Sequence, residues 1–351
     1  MRFAIVGCGD ISRRYAQRIA EIDGLELAGA TDIAPARADA LVAQAGGESY
    51  PSLEALLADD RVDAVVNLTG ALAHAHVTRA ALEAGRHVHT EKPLALTHAE
   101  AQELVALADA RGLTLSCAPA TLLGEAQQTA WKLLREGAIG TARVAYAEAN
   151  WGRIESWHPA PATLYAVGAI VDVGIYPLTM LTAMFGPVRR VVAYGTTVKP
   201  DRIALDGAPF RLETPDVVVA VLELASGVVV RLTASFYVEP GKQRGIEFHG
   251  DDAMLYLASW AESDSRLELA RGGDGYAPVE LVREPYPGID WGRALVELRD
   301  ATAEGREPRT TARHAAHVVE ALEAIDRSRL DGGAVDVTSD FDAPAPMEWA
   351  Q

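Results

Sequence analysis

The fold turns on the stretch Phe3-Ala4-Ile5-Val6-Gly7-Cys8-Gly9-Asp10-Ile11-Ser12. Four apolar residues, Phe3–Val6, lead into two glycines, and residues 12–22 then place apolar groups at helical spacing. A short apolar run ending in glycine reads as a buried strand, and the periodic stretch after it as a helix. Between them lies a G-x-G-x-x-G pattern with Ser12 in the third glycine's place. Gly7 permits the tight turn, Gly9 lets the backbone approach a pyrophosphate, and the third position needs only a small side chain for helix–strand packing. The helix start that follows offers backbone N–H groups to an anion.

Asp32 ends the second apolar run, Leu25–Ala30, 23 residues after Gly9. A carboxylate there accepts both hydroxyls of an adenosine ribose and repels a 2′-phosphate, which favours NAD over NADP. Arg37, one helical turn further on, softens that preference, so NADP stays open. The same aspartate also suits a helix or turn cap. The constellation fits a nicotinamide dinucleotide better than a flavin.

Working outward, Val62–Leu68, Arg86–His89 and Leu113–Cys117 read as further strands, and Ala36–Ala45, Ala73–Ala84 and Thr97–Arg111 as helices. Continuous apolar strands alternating with helices mark a parallel sheet covered on both faces, and right-handed crossovers make it doubly wound. The pattern changes near residue 120. Glu125–Glu136 and Ala169–Phe185 read as helices among eight strand-like runs: Arg143–Trp151, Val188–Thr197, Val217–Leu224, Val228–Phe236, Gly245–His249, Met254–Ser259, Arg266–Ala270 and Val279–Val282. Helices over residues 291–304 and 311–329 follow. The expected fold is α/β then α+β: a dinucleotide-binding domain over 1–120 and a domain over 121–330 with a large, open, mainly antiparallel sheet. A Pro- and Asp-rich tail over 331–351 is expected to be loosely held.

Of 351 residues, 49% are hydrophobic and 23% charged, which excludes global disorder. Lys and Arg number 32 against 49 Asp and Glu, a net charge of −17, so no basic face exists for a nucleic acid. Cys8 and Cys117 are too few for a disulfide framework. No apolar run approaches the ~20 residues of a membrane span. The start Met1–Gly7 lacks the apolar stretch and cleavage site of a signal peptide. The reading is a cytoplasmic protein with no membrane partner. Asn67-Leu68-Thr69 matches a glycosylation sequon but closes an apolar strand, so it is set aside.

Residues 82–93, Leu-Glu-Ala-Gly-Arg-His-Val-His-Thr-Glu-Lys-Pro, resemble the signature of the glucose–fructose oxidoreductase / inositol dehydrogenase / MocA family. Further matches are His76 upstream, Glu100-Ala101 downstream, Glu136-Gly137-Ala138-Ile139-Gly140, and Asp172-Val173-Gly174-Ile175-Tyr176-Pro177, which resembles the family's D-x-G-x-[HY] motif. The resemblance covers essentially the whole chain. It implies an N-terminal Rossmann domain whose cofactor site uses Gly7, Gly9, Asp10, Ile11, Asp32, Arg37, Thr69, His76, Glu91 and Lys92. It also implies a cis Lys92–Pro93 peptide and a catalytic group of Lys92, Asp172 and Tyr176. An ammonium beside the reacting oxygen stabilises a developing alkoxide. A carboxylate and a phenol four residues apart share a helix face and could orient a substrate and exchange its proton. Tyr176 stands where many relatives carry His. A phenol of pKa ~10 serves more readily as an acid toward a ketone than as a base toward an alcohol.

The chain departs from the family at Gly70, where proline is usual, and at Gly168-Ala169, where a glycine cluster is usual. Between Trp151 and Tyr165, the residues Arg153, Trp157, His158 and Tyr165 suit a sugar-binding wall of aromatic and polar groups. Five histidines fall between His74 and His98, but no acidic third ligand stands at useful spacing, so no metal is expected. His314 and His317 read as surface or interface residues, and Cys8 as a small filler rather than a nucleophile.

The resemblance implies an NAD(P)-dependent oxidoreductase moving hydride between the nicotinamide and a sugar, cyclitol or related polyhydroxylated alcohol or ketone. One rival is a glycoside hydrolase using bound NAD for transient C3 oxidation and elimination. The other is a non-catalytic NAD sensor, against which the retention of Lys92, Asp172 and Tyr176 argues. A one-sided apolar sheet implies a homodimer or homotetramer.

Overall fold

The computed structural model describes residues 1–158 and 161–351 and divides into two compact units. The first comprises Met1–Ala120 and Asp290–Val319, the second Thr121–Ile289 and Glu320–Gln351.

In the first unit six parallel strands, β1 (Arg2–Val6), β2 (Glu26–Thr31), β3 (Glu48–Ser49), β4 (Ala64–Asn67), β5 (His87–Thr90) and β6 (Leu115–Cys117), lie in the order β3-β2-β1-β4-β5-β6. The helices α1 (Ser12–Glu21), α2 (Pro35–Ala45), α3 (Leu53–Leu57), α4 (His74–Glu83) and α5 (His98–Arg111) connect them. The order reverses direction at β1/β4, the place where a doubly wound sheet opens a crevice at its strand ends. Strands buried on both faces need cover on both. On one face Phe3, Ile5 and Val66 pack with Tyr15 and Ile19 of α1. Ala4, Val65 and Val88 pack on the other with Leu82 of α4 and Leu104 of α5.

The terminal helices complete both layers. Leu295 and Leu298 of α9 (Arg293–Glu304) join the α1 face, and Ala312, Ala316 and Val319 of α10 (Ala312–Asp331) join the other. The expected boundary therefore shifts: residues 290–319 belong with the nucleotide-binding fold rather than the second domain. Their apolar stripes fill gaps that local sequence does not reveal. His314 and His317, expected at a surface or an interface, are 3% and 0% exposed on α10.

The second unit is a nine-stranded sheet. Its strands are β7 (Ala142–Asn150), β8 (Val188–Thr196), β11 (Val217–Leu224), β12 (Val229–Ser235), β13 (Gly245–Gly250), β14 (Ala253–Leu257), β15 (Leu267–Arg271), β16 (Tyr276–Pro278) and β17 (Val335–Asp336), in the order β16-β15-β14-β13-β7-β12-β11-β8-β17. A two-stranded hairpin, β9 (Asp201–Ile203) and β10 (Pro209–Arg211), stands apart. Pairing is antiparallel except at β7/β12. Strand β11 alternates buried and exposed residues along its length, so the sheet has one covered and one open face. The helices here are α6 (Glu125–Arg135), α7 (Pro161–Val167) and α8 (Ile175–Phe185).

The helix expected over 169–185 is present, its first turn, Ile170–Gly174, being π-helical and continuous with α8. Two expectations need correction in this unit. The strand expected at 279–282 lies instead at Tyr276–Pro278. The tail is anchored: Glu320 accepts Thr338 and Ser339 N–H groups at 3.1 and 2.8 Å, Gln128 accepts Met347 N–H at 2.8 Å, and Ala350 is fully buried. Among the described residues no single helix is long and apolar enough to cross a membrane.

Candidate functional site

The loop after β1 is shaped by close approach. Gly7 has φ +93°, and a Cβ there would lie 2.8 Å from backbone atoms of Leu68 and Thr69, in the loop after β4. Only glycine fits both constraints. Gly9 is the opposite case: no atom lies within 4 Å of a Cβ built on it, so the loop opens a cradle beside the start of α1. Ser12 donates Oγ–H to Gly9 O at 2.6 Å and packs out of solvent, doing the third glycine's work.

Asp32 holds the cradle's edge. Its Oδ2 accepts Cys8 N–H at 2.7 Å and its Oδ1 accepts Ala34 N–H at 2.8 Å, so it caps a turn as well as facing the loop. Asp10 and Arg37 are exposed and Ile11 is half-buried. Burial, then the charge of Asp32, pushes the Cys8 thiol up to about 12, which keeps it unreactive. Ile33 and Leu72 are large apolar side chains left fully or mostly exposed on the loops after β2 and β4. Sequence reasoning passed over both. Their signal is an apolar residue within a few positions of a strand end, where a ligand surface is the alternative to a costly exposed side chain. The open space at Gly9, the ribose-type acceptor at Asp32 and these apolar edges fit a dinucleotide.

Two histidines stand on opposite sides of α4. His76 is exposed on α4, whereas His74 is buried. Residues two apart on a helix point to nearly opposite sides, and His74 shares its side with Thr78, Ala81 and Leu82. His74 Nδ1 lies 2.7 Å from Pro93 O and Nε2 lies 2.9 Å from Thr69 O, tying the β4 loop to the Glu-Lys-Pro corner. Thr69 is itself held by Asn67 Oδ1, to which it donates Oγ1–H at 2.7 Å.

The Lys92–Pro93 peptide is cis, as is Ala118–Pro119. Lys92 is half-buried, and its N–H donates to Glu91 Oε2 at 3.2 Å. Glu91 is 6% exposed and belongs to a buried relay. Its Oε1 takes the Tyr15 phenol proton at 3.0 Å, so His89 Nε2–H donates to the Tyr15 oxygen at 3.2 Å, and His89 Nδ1 accepts from Ser116 Oγ at 2.7 Å. Burial lowers the His89 pKa to about 3, so the ring stays neutral as this relay requires. Glu91 thus braces the corner that presents Lys92.

In the second unit, Asp172 lies in the π-helical turn and Tyr176 at the start of α8, both half-buried. Gly174 lets this turn seat on β12, because a Cβ there would meet Ile170 Cδ1 at 2.7 Å and Ala234 Cβ at 3.2 Å. The Tyr176 ring lies 4.8 Å from that of Trp260, which sequence reasoning missed for want of a nearby motif. Trp260 is 6.0 Å from Trp151, Trp151 is 6.4 Å from Trp157, and Trp157 is 5.5 Å from His158. Arg153 lies at the rim, 3.6 Å from Glu239.

Tyr165, expected on the substrate wall, is instead buried. It donates its phenol proton to Glu155, and its pKa is raised by burial and then by that bond. Arg202 completes the network, reaching Glu155 at 2.8 Å and Asp216 at 2.6 Å. Among the described residues no three His, Cys, Asp or Glu side chains gather as a metal site.

Known proteins resemble the chain along most of its length. A curated relative, the dTDP-3,4-didehydro-2,6-dideoxy-alpha-D-glucose 3-reductase of Streptomyces antibioticus, is 30% identical over 72% of this chain and 82% of its own. The D-apiose dehydrogenase of Paraburkholderia graminis is 27% identical over 98% and 91%. Among solved structures, the UDP-N-acetylglucosamine 3-dehydrogenase of Acidithiobacillus ferrooxidans superposes with a TM-score of 0.76 at 25% identity, covering 93% of this chain and 97% of that one. Residues 1–118 match the NAD-binding Rossmann domain of the GFO_IDH_MocA oxidoreductases and residues 127–256 match their C-terminal domain, so the chain belongs to that family of enzymes.

Proposed function

We propose that this oxidoreductase interconverts a hydroxyl and a carbonyl on a sugar, cyclitol or related polyhydroxylated compound, with NAD favoured over NADP. The observation that carries the reading is the packing of Tyr176 at one end of an aromatic run that reaches solvent at Trp151 and Trp157. A proton-exchanging phenol packed on a buried indole, from which the aromatic run continues to exposed ones, suits a polyhydroxylated ring. The relatives named above carry sugar names as well.

Gly7, Gly9, Asp10 and Ile11 would hold the dinucleotide's pyrophosphate, and Asp32 its ribose, with Arg37 beside it. Thr69, positioned by His74, would line the nicotinamide half. When bound, that cofactor accepts or supplies hydride. Lys92, braced by Glu91, stabilises negative charge on the reacting oxygen. Tyr176 exchanges that oxygen's proton, and Asp172 orients the substrate. Arg153, Trp157 and His158 contact the substrate beyond the reacting carbon.

The test is absorbance at 340 nm with NAD and NADP against aldoses, inositols, sugar acids and glycosides, using Lys92→Met as the blank. A Lys92-dependent signal with one sugar class supports the proposal. A silent panel from a protein that holds NAD and cleaves glycosides would replace it with a redox-assisted hydrolase.

The open sheet face pairs Val219 with Tyr194 and Val221 with Val192, all exposed. A second copy of the chain would cover it, giving a homodimer or homotetramer. Light scattering on Val221→Glu should then report a smaller particle than the wild type.

A further inference from the structure

Trp151 and Trp157 are 41% and 49% exposed. So much indole surface in water forfeits the gain of burial, and these two rings are held there. Their planes cross at 70° and form a corner. Behind it, Trp151 rests on Trp260, which is buried and donates Nε1–H to Glu148 O at 3.1 Å. Below it, Glu155 lies two residues before Trp157 and is clamped by Arg202 at 2.8 Å. The corner is preorganised, and its ring Trp157 meets Tyr176 only through two others, Trp151 and Trp260.

We propose that this corner is a second carbohydrate subsite, which takes a neutral sugar ring joined glycosidically to the one that reacts. The substrate is then a disaccharide or similar neutral glycoside. The inference rests on the function proposed above for the position of the first ring. An indole face matches the C–H face of a pyranose, and a second indole across it confines the ring's edge. At the rim Arg153 and Glu239 supply a donor and an acceptor for its hydroxyls. Arg153 is itself answered by Glu239, so at this rim it offers no uncompensated charge to the diphosphate of a nucleotide-linked sugar.

The test is calorimetric binding to the full chain in saturating NADH, with glucose, cellobiose, maltose and UDP-glucose as probes. At least one disaccharide should bind tenfold or more tightly than glucose. Trp157→Ala should bring that ratio close to one, and Trp157→Phe should retain most of it. Equal affinity for glucose and both disaccharides, a ratio untouched by Trp157→Ala, or tighter binding of UDP-glucose than of either disaccharide would each overturn the subsite. Binding is read without turnover. A Trp157-dependent preference in a protein with no NAD(P)-linked activity would sink only the proposed function, and activity without the preference only the subsite.

Discussion

Arg202 and Asp216 form an ion pair at 2.6 Å in which neither side chain is exposed to solvent. Asp216 also accepts Val198 N–H at 2.8 Å, and the other arm of Arg202 reaches Glu155, so one guanidinium joins the β9–β10 hairpin to the segment carrying Trp157. Removing one partner of a buried pair strands the other's charge and typically costs about 3–5 kcal/mol. Arg202→Met should lower the stability of the second unit by that order in urea unfolding. Arg202→Lys should recover only part, because an ammonium cannot span both carboxylates as a planar fork does.

Substitution at the two loop glycines should separate folding from binding. Gly7→Ala puts a methyl against Leu68 and Thr69 at positive φ, so the melting temperature and NADH affinity should fall together. Gly9→Ala meets no protein atom. It should melt like the wild type and bind NADH at least tenfold more weakly, as read by fluorescence titration.

Asp32→Ala removes the acceptor for ribose hydroxyls and the charge that repels a 2′-phosphate, leaving Arg37 nearby. The ratio of kcat/KM for NAD over NADP should fall by tenfold or more. A loss with both cofactors equally would instead assign Asp32 to shaping the loop through Cys8 N–H.

Stability should fall as the solution is acidified. Burial lowers His89 to about 3, and burial followed by repulsion from His317 lowers His314 to about 3, against an ordinary value of 6.5. Between those values the unfolded chain binds protons that the native one refuses, so acid favours unfolding across that window. Above it the contribution is flat. Urea midpoints should be constant from pH 7.5 to 8.5 and drop steadily from pH 6 to 4. His89→Gln should flatten that slope, whatever its effect at pH 8.

Much of the candidate site was legible because its chemistry is local. Gly7, Gly9 and Asp32 stand at a strand end, a loop and the next strand end, and Glu91-Lys92-Pro93 follows a strand directly. His74 was legible in principle, since the periodicity of Thr78, Ala81 and Leu82 places it inward and His76 outward. Tyr165 was not, because the groups that enclose its ring, Arg202, Phe210 and Phe236, lie 37 or more residues on. Trp260 carries no local mark at all, and its ring meets that of Tyr176 from 84 residues further along the chain.

The alternation of apolar strands and helices, the glycine loop and its acidic partner determined a doubly wound nucleotide domain and the sheet that follows it, because strand and helix period are written in neighbouring residues. Tertiary structure alone decided that α9 and the first part of α10 cover the nucleotide sheet, that the tail is anchored, and which aromatic rings meet. Those outcomes depend on which apolar face remains uncovered once the local elements have formed. That quantity belongs to the packed chain and to no single segment of it.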